Sequence, residues 1–287
     1  MTYGTPKAFR TALEHRLREQ SGETGITLDR LRRRVLFARV VARLESAEPG
    51  MWVLKGGMAL EVRLKDEARL TKDIDLGLRD EVANADELHD RLIDALRLDP
   101  FGDSFVIEVQ RPTPLMEDER GRSTWRARVT AQLADTEFGR VQLDISPRTH
   151  ELDDTDRIEL PNLLAFADIP PPVIEVVDIH RHAAEKYHGM LRELDDRENS
   201  RVRDLVDLVI LIEHEMLDTA AVAAACIKVW SERNGTMPPE VLPVLPESWP
   251  EKYERMAGDY DIEAQSFTAA YDLVRDLWAA IFTSEEV

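Results

Sequence analysis

The sequence predicts an α+β fold: a mixed sheet flanked by helices, followed by a helical C-terminal domain. Three observations lead there. First, Trp125, Ala127, Val129, Ala131 and Leu133 alternate with Arg126, Arg128, Thr130 and Gln132, the period of a half-buried strand. A turn-like segment, Asp135–Gly139, joins it to a second aliphatic run, Val141–Ile145, so the sheet is at least partly antiparallel. Second, crossover helices are few and no G-x-G-x-x-G run occurs, which disfavours a doubly wound dinucleotide-binding fold. Third, beyond Pro170-Pro171-Pro172 the chain reads as helical apart from a short strand-like Val173–Val177. The boundary falls there, with residues 1–170 forming one domain with N-terminal helices and residues 171–287 a mainly helical one.

Element by element, residues 5–19 and 28–46 read as helices, the second with Leu28, Leu31, Val35, Phe37, Val40, Val41 and Leu44 as its apolar stripe. Pro49-Gly50 closes that region. Met51–Leu54 is a short apolar run ending at Gly56-Gly57, and Met58–Leu64 opens a helix. Asp73–Leu78 alternates acid and aliphatic as a strand, Asp86–Leu96 is a polar helix, and Ser104–Gln110 is a strand. The second domain is expected to hold helices over Asp178–Leu194, Ser200–Met216, Thr219–Ser231 and Ile262–Phe282, interrupted by the proline-punctuated Met237–Pro250.

A chain of 287 residues with 43% hydrophobic side chains can bury a sizeable core. It has no apolar run long enough to span a bilayer and no apolar leader at its start, so a cytoplasmic protein without membrane association is expected. The one cysteine, Cys226, lies in an alanine-rich stretch and reads as a buried, inert thiol. The net charge of −19 opposes nonspecific adhesion to nucleic acid. Residues 1–50 run against that trend, with ten basic and six acidic side chains. Arg30, Arg32, Arg33, Arg34, Arg39 and Arg43 form the densest basic patch, which is either a solvated helix face or a phosphate-contacting arm for RNA.

The chemistry centres on Asp73 and Asp75. Alternate residues of a strand share a face, so both carboxylates point one way, with backbones about 7 Å apart. Two such charges repel unless a cation lies between them, and Mg²⁺ favours carboxylate oxygens. A D-x-D pair alone is an ordinary strand pattern. Gly56-Gly57 adds meaning, because free amides where an apolar run turns into a helix can receive phosphates, and Lys55 adds positive charge beside them. Asp144, set between aliphatics in Val141–Ile145, supplies a third carboxylate for a metal or an ordinary solvent-facing acid. Further on, Lys186 shares a helix face with Ala183, Tyr187 and Met190, and Asp204, Asp207, Leu208 and Leu211 form one stripe on the next helix. Acids on a core-facing stripe need partners, which Lys186, Arg201 or Arg203 could supply. His180, His182 and His188 lack zinc-ligand spacing.

Lys55-Gly56-Gly57 followed by Arg69-x-Thr71-Lys72-Asp73-Ile74-Asp75-Leu76 resembles the nucleotidyltransferase superfamily, of which DNA polymerase beta is a member. With Ala184-Glu185-Lys186-Tyr187-His188 and Arg201-x-Arg203-Asp204-Leu205-x-Asp207-Leu208, the pattern is similar to the AbiEii/AbiGii toxins of bacterial toxin–antitoxin systems, the mycobacterial MenT toxins among them. The resemblance spans Val53 to Ile212. It implies a nucleotidyltransferase-type sheet and transfer of a nucleoside monophosphate from an NTP to an RNA, the 3′ end of a tRNA, inhibiting translation and growth. It further implies Mg²⁺ (or Mn²⁺) on Asp73, Asp75 and Asp144, and nucleotide contacts from Lys55, Gly56, Gly57, Met58, Thr71 and Lys72. Asp73, Asp75 and Lys186, with Asp204 or Asp207, are the implied catalytic residues, and a cognate antitoxin protein is an implied partner. Met58 and Ala59 stand where many superfamily members carry serine or threonine, which shifts phosphate binding onto backbone amides and Lys55. Two other readings stay open: an adenylyltransferase acting on a small molecule or protein, which the acidity suits, and a catalytically idle nucleotide- or antitoxin-binding module.

Overall fold

The structure is a computed structural model that describes residues 3–65, 71, 73–117, 123–148, 152–192 and 198–282. The chain divides into two compact units, one of Met1–Val62 and Thr71–Val176, the other of Arg63–Leu70 and Val177–Val287.

The first unit begins with two helices whose ends are written in the sequence. Thr5 accepts the Ala8 N–H to start α1 (Pro6–Thr24), and Gly25, at φ 74°, closes it in the left-handed conformation. Thr27 caps α2 (Leu28–Ala47) in the same way. Then follow β1 (Trp52–Lys55), α3 (Gly56–Leu64), β2 (Asp73–Leu78), α4 (Ala85–Leu96), β3 (Phe105–Val109), β4 (Thr113–Glu117), β5 (Ser123–Leu133), β6 (Thr136–Pro147), β7 (Thr155–Glu159) and β8 (Val173–Val177). Among the described residues the strands form one mixed sheet in the order β3-β5-β6-β2-β1-β8-β7, with β4 pairing β5. β2 runs parallel to β6 and antiparallel to β1, which is itself parallel to β8.

One face of this sheet is apolar. Leu54, Leu76 and Ile145 are cross-strand neighbours, as are Ile74, Leu143 and Ala127, and all are buried. Phe9, Leu13, Leu31, Val35 and Leu36 of α1 and α2 are buried as well, with α2 packed on β6 and α1 on β5. Each such aliphatic removed from water contributes about 1.5–3 kcal/mol before entropy. The opposite face of β2 and β6 therefore carries the polar residues of the alternation.

Each arginine of the α2 basic patch is paired with an acid, Arg39 and Arg43 in the core and Arg30, Arg32, Arg33 and Arg34 half-buried. Arg43 and Arg39 are fully buried, with Arg43 gripping Asp103 through both guanidinium nitrogens (2.9 and 2.7 Å) and Arg39 3.5 Å from the same carboxylate. Arg30 and Arg34 converge on the buried Glu61 of α3 at 3.1 and 2.9 Å. Arg32 pairs with Glu14 at 2.6 Å and Arg33 with Asp29 at 2.7 Å. The acids are distant in sequence in most of these pairs, so the local count of arginines could not reveal them.

Other differences have local causes. β6 starts at Thr136, because β5 turns through only Ala134 and Asp135, both at positive φ (53° and 56°). This is hairpin geometry normally signalled by Asn-Gly, which is absent here. The expected turn at 135–139 instead contains a register shift where Gln132 pairs Glu137 and Ala131 pairs Gly139. β4, carrying Pro114, and β7, Thr-Asp-Arg-Ile-Glu, lie outside the central strands and lack the apolar alternation that marks a half-buried strand.

The second unit holds α5 (Ile179–Leu191), α6 (Val202–Glu213), α7 (Thr219–Asn234), α8 (Trp249–Ala257) and α9 (Phe267–Phe282). α8 was not expected. Its proline, Pro250, sits in the first turn, where no N–H is required, rather than breaking the chain. α5 packs on α6 and α7, and α6 on α8 and α9. Tyr187, Trp230 and Trp278 cluster at centroid spacings of 4.8 and 5.7 Å, and the Tyr187 hydroxyl donates to the Val274 carbonyl. The Asn199 amide donates to the carbonyls of Gly189, Met190 and Arg192, satisfying the end of α5. Cys226 is buried, and burial pushes its thiol up to about 12. No helix among the described residues is long and apolar enough to cross a membrane.

Removing the Asp103 carboxylate tests the buried arginine clamp. Burial works against that carboxylate, but the hydrogen bonds and charge of Arg43, with Arg39 behind it, hold it below its ordinary range. Asp103→Ala should cost about 3–5 kcal/mol in urea unfolding at pH 7, as two buried cations lose their partner. A group with a depressed folded value stabilises above its unfolded value of about 3.9 and loses that contribution as pH falls through the folded value. The difference between wild type and variant should therefore shrink on acidification below pH ~4.

Candidate active site

The polar face of the sheet carries a row of charges set by strand register. Lys55 is opposite Asp75, Asp75 is opposite Asp144, and Asp144 is opposite Arg126. Directly paired residues share a face, so four neighbouring strands place a cation, two carboxylates and a second cation side by side. One pair further along, Asp73 is opposite Gln142, and Gln142 is opposite Arg128.

β1 ends at Lys55 and the chain turns directly into α3 at Gly56, whose φ is 58°. A side chain there would be strained, and it would also collide, because a Cβ would stand 1.9 Å from Asp75 Oδ2. The Asp75 carboxylate thus rests against the turn where the first amides of α3 have no intrahelical acceptor. Met58 is buried within α3, so only its backbone can serve a ligand. The Thr71 hydroxyl donates to the Asp73 carbonyl at 3.2 Å. Lys72 and Arg69 lie outside the described residues.

Asp73 Oδ1 accepts from the Gln142 side-chain amide at 2.9 Å. Asp144 is buried and accepts two hydrogen bonds from Arg126, Nε to Oδ1 at 2.8 Å and Nη2 to Oδ2 at 2.7 Å. These bonds, then the charges of Asp144, Asp73 and Asp75, raise the Arg126 guanidinium above its ordinary value against a loss to burial. Asp73 and Asp75 are hard oxygen donors suited to a divalent cation. Among the described residues, however, no three His, Cys, Asp or Glu side chains are gathered as a metal-binding cluster.

In the second unit, the structure brings Lys186, Asp204 and Asp207 together. Lys186 Nζ lies 3.0 Å from Asp204 Oδ1 and 2.8 Å from Asp207 Oδ2. Both acids therefore point inward, Asp207 fully buried and Asp204 nearly so. Arg201 also reaches Asp204 at 3.5 Å. Gly189 leaves room for this, since a Cβ there would meet Asp204 Oδ2 at 2.7 Å. Burial alone would lower the Lys186 ammonium; the charges and hydrogen bonds of the two aspartates outweigh it and hold the group above its ordinary value. His182 is buried without a hydrogen-bond partner for either ring nitrogen, and burial, with the Lys186 charge, pushes it down to about 3. It is a neutral ring at physiological pH. His188 instead meets the Asn234 side chain at 2.6 Å, and His180 lies beside Asp178.

Sequence alone did not identify Gln142 as the partner of Asp73, or Arg126 as the partner of Asp144. The signal was present in the Arg126–Arg128 alternation, but it acquires meaning only once the register of β5 on β6 is known.

With this geometry in view, comparison with known proteins defines the class. The fold matches the nucleotidyltransferase toxin MenT4 from Mycobacterium tuberculosis H37Rv with a TM-score of 0.58 at 19% identity, covering 96% of this chain and 90% of that one. A putative nucleotidyltransferase from H. pylori aligns over 91% of this chain and 100% of its own, at 16% identity and a TM-score of 0.49. JHP933 from Helicobacter pylori aligns over 90% and 92%, at 18% identity and a TM-score of 0.46. No curated protein sequence matches. The architecture is thus a mixed sheet with flanking helices of the nucleotidyltransferase kind. Residues 39–278 match the profile of the AbiEii nucleotidyl transferase toxins of type IV toxin–antitoxin systems, and the chain belongs to that family. It is a nucleotidyltransferase. The match extends beyond Val53–Ile212, where the recognisable motifs lie, to take in α7, α8 and most of α9.

The buried triad of the second unit gives a pH-dependent test. Lys186→Met removes the cation shared by two buried carboxylates and should cost about 3–5 kcal/mol at pH 7. Lys186, held above its ordinary value, contributes fully below the unfolded lysine value of about 10.4 and loses that contribution only as pH rises through the folded value. Wild type therefore keeps it throughout the neutral range. In thermal melts the gap between variant and wild type should narrow from pH 8 towards pH 5, as the two buried aspartates take up protons.

Proposed function

We propose that this chain transfers a nucleoside monophosphate from an NTP to the 3′ end of an RNA, a tRNA, and so inhibits translation and growth until an antitoxin protein neutralises it. The observation that carries this reading is the seating of Asp75 against the Gly56 turn, with Asp73 two residues away on the same face. Amides that can receive phosphate thereby adjoin carboxylates that can hold a cation.

Asp73, Asp75 and Asp144 would hold Mg²⁺, or Mn²⁺ in its place; each Asp144 oxygen accepts one hydrogen bond from Arg126 and keeps a second lone pair for a cation. When bound, the metal withdraws charge from the triphosphate and makes the acceptor hydroxyl easier to deprotonate. The chain's own groups do the rest. The Gly56, Gly57 and Met58 amides and the Lys55 ammonium bind the β- and γ-phosphates and stabilise the charge that builds on the leaving pyrophosphate. The Gln142 amide fixes the orientation of Asp73. The acceptor hydroxyl attacks the α-phosphorus, the new O–P bond forms as the bond to pyrophosphate breaks, and the hydroxyl proton passes to solvent. No protein nucleophile is needed. Lys186, kept charged by Asp204 and Asp207, is assigned to the same reaction by the family resemblance.

One incubation tests the reading: the full chain with Mg²⁺, each labelled NTP in turn, and total tRNA. Label is expected on tRNA and absent when EDTA replaces Mg²⁺. Asp73→Asn and Asp75→Asn should each lower transfer by about 10³-fold or more, several kcal/mol of lost transition-state stabilisation, with melting temperatures within a few degrees of wild type. Label on protein would favour the second reading, an adenylyltransferase for a protein or small molecule, which the net charge of −19 suits. Label on neither would leave a nucleotide- or antitoxin-binding module.

A further inference from the structure

Apart from the α2 arginines, the carboxylate face carries basic residues of its own. They lie on β5 and β6. Arg126 and Arg128 alternate on β5, and Arg140 shares their face through the pairing of Thr130 with Arg140. Arg128 and Arg140 are exposed, and the Arg126 side chain is 32% exposed even while it grips Asp144. Arg140 also contacts Glu137.

The order of the row gives these cations a role. Lys55 and the Gly56 turn stand on β1, the carboxylates on β2 and β6, and Arg126 on β5. Three strand spacings separate the Lys55 and Arg126 backbones, about 14 Å. In an in-line displacement, the attacking oxygen and the leaving pyrophosphate lie on opposite sides of the α-phosphorus. If the pyrophosphate occupies the Lys55 end, the acceptor enters from the β6–β5 end.

The geometry points to Arg126 and Arg128 as a subsite for the phosphodiester backbone of the acceptor, with the Asp144 carboxylate holding Arg126 in place. This rests on the RNA-transfer reading above. The two guanidinium groups stand at i and i+2 of one strand, about 7 Å apart at the backbone. That spacing lets them serve successive phosphates of an extended strand rather than one phosphate together. The bidentate grip of Asp144 uses Nε and Nη2, which leaves the Nη1 edge of Arg126 directed away from the pair. With a few exposed arginines on an otherwise acidic chain, such a protein would hold RNA only where its reaction requires it.

The test uses the full chain, a 5′-labelled single-stranded RNA for anisotropy, and Mn²⁺ with a nonhydrolysable NTP for calorimetry. Arg126→Gln/Arg128→Gln should weaken RNA binding at least ten-fold and leave nucleotide affinity within about three-fold. The slope of log affinity against log salt should fall by about 0.7 for each lost single-strand phosphate contact. Arg128→Gln alone, at an exposed position that does not threaten the fold, should give part of that loss. RNA affinity unchanged in the Arg126/Arg128 variant overturns the subsite, as does a parallel loss of nucleotide, which would place both arginines on the triphosphate. If wild type labels tRNA and the Arg126/Arg128 variant binds RNA like wild type, the subsite fails while the transfer reading stands. If wild type neither binds nor labels RNA, both fall.

Discussion

Everything in the polar face follows from one constraint: β2 runs parallel to β6 in a register that sets Asp75 beside Asp144. Two carboxylates on adjacent strands repel, and like charges directly opposite are destabilising. The sheet answers from both sides. Arg126 takes Asp144 on one flank, while Asp75 is seated at the Gly56 turn next to Lys55 on the other. The same alternation that drives Ile74, Leu76, Leu143 and Ile145 into the core obliges the intervening acids to share the opposite face. Slipping either strand by one residue would bury the charges and expose the aliphatics, so packing energy enforces the geometry of the site.

Charge is handled differently elsewhere in the chain. Arg39 and Arg43 on Asp103, Arg30 and Arg34 on Glu61, and Lys186 between Asp204 and Asp207 are buried or half-buried sets, each anchoring one helix to another element. Removing one partner from such a set is costly because the other is left unpaired in a poor solvent for charge. A chain of net charge −19 thus uses many of its arginines as internal fasteners. The basic strip on β5 and β6 is set apart by where it lies, on the same face as the carboxylate pair.

Much of the architecture was legible in sequence because it is written locally. β2 occupies residues 73–78 as the alternation of acid and aliphatic indicates, and the paired glycines mark the β1–α3 turn. α2, α4 and α7 begin within a residue of their expected starts, where Thr27, Asn84 and Asp218 act as caps. What could not be read depends on pairing between distant segments. The β5–β6 turn uses Ala134 and Asp135 without the usual residues for positive φ, and α8 hid behind a proline placed where a helix tolerates it. The partners of Asp73, Asp144 and the α2 arginines are fixed by register and packing. Composition had suggested that those arginines were exposed; the acid that absorbs Arg39 and Arg43, Asp103, lies 64 and 60 residues away.

The most direct measurement of the central claim is a crystal structure of the full chain with Mn²⁺ and a nonhydrolysable NTP, located by the anomalous signal of the metal. The account predicts Mn²⁺ on the Asp73 and Asp75 carboxylates, the triphosphate along the Gly56–Gly57 amides beside Lys55, and Arg126 still paired with Asp144. A metal bound away from Asp73 and Asp75, or a triphosphate lying on β5 against Arg126, would contradict it.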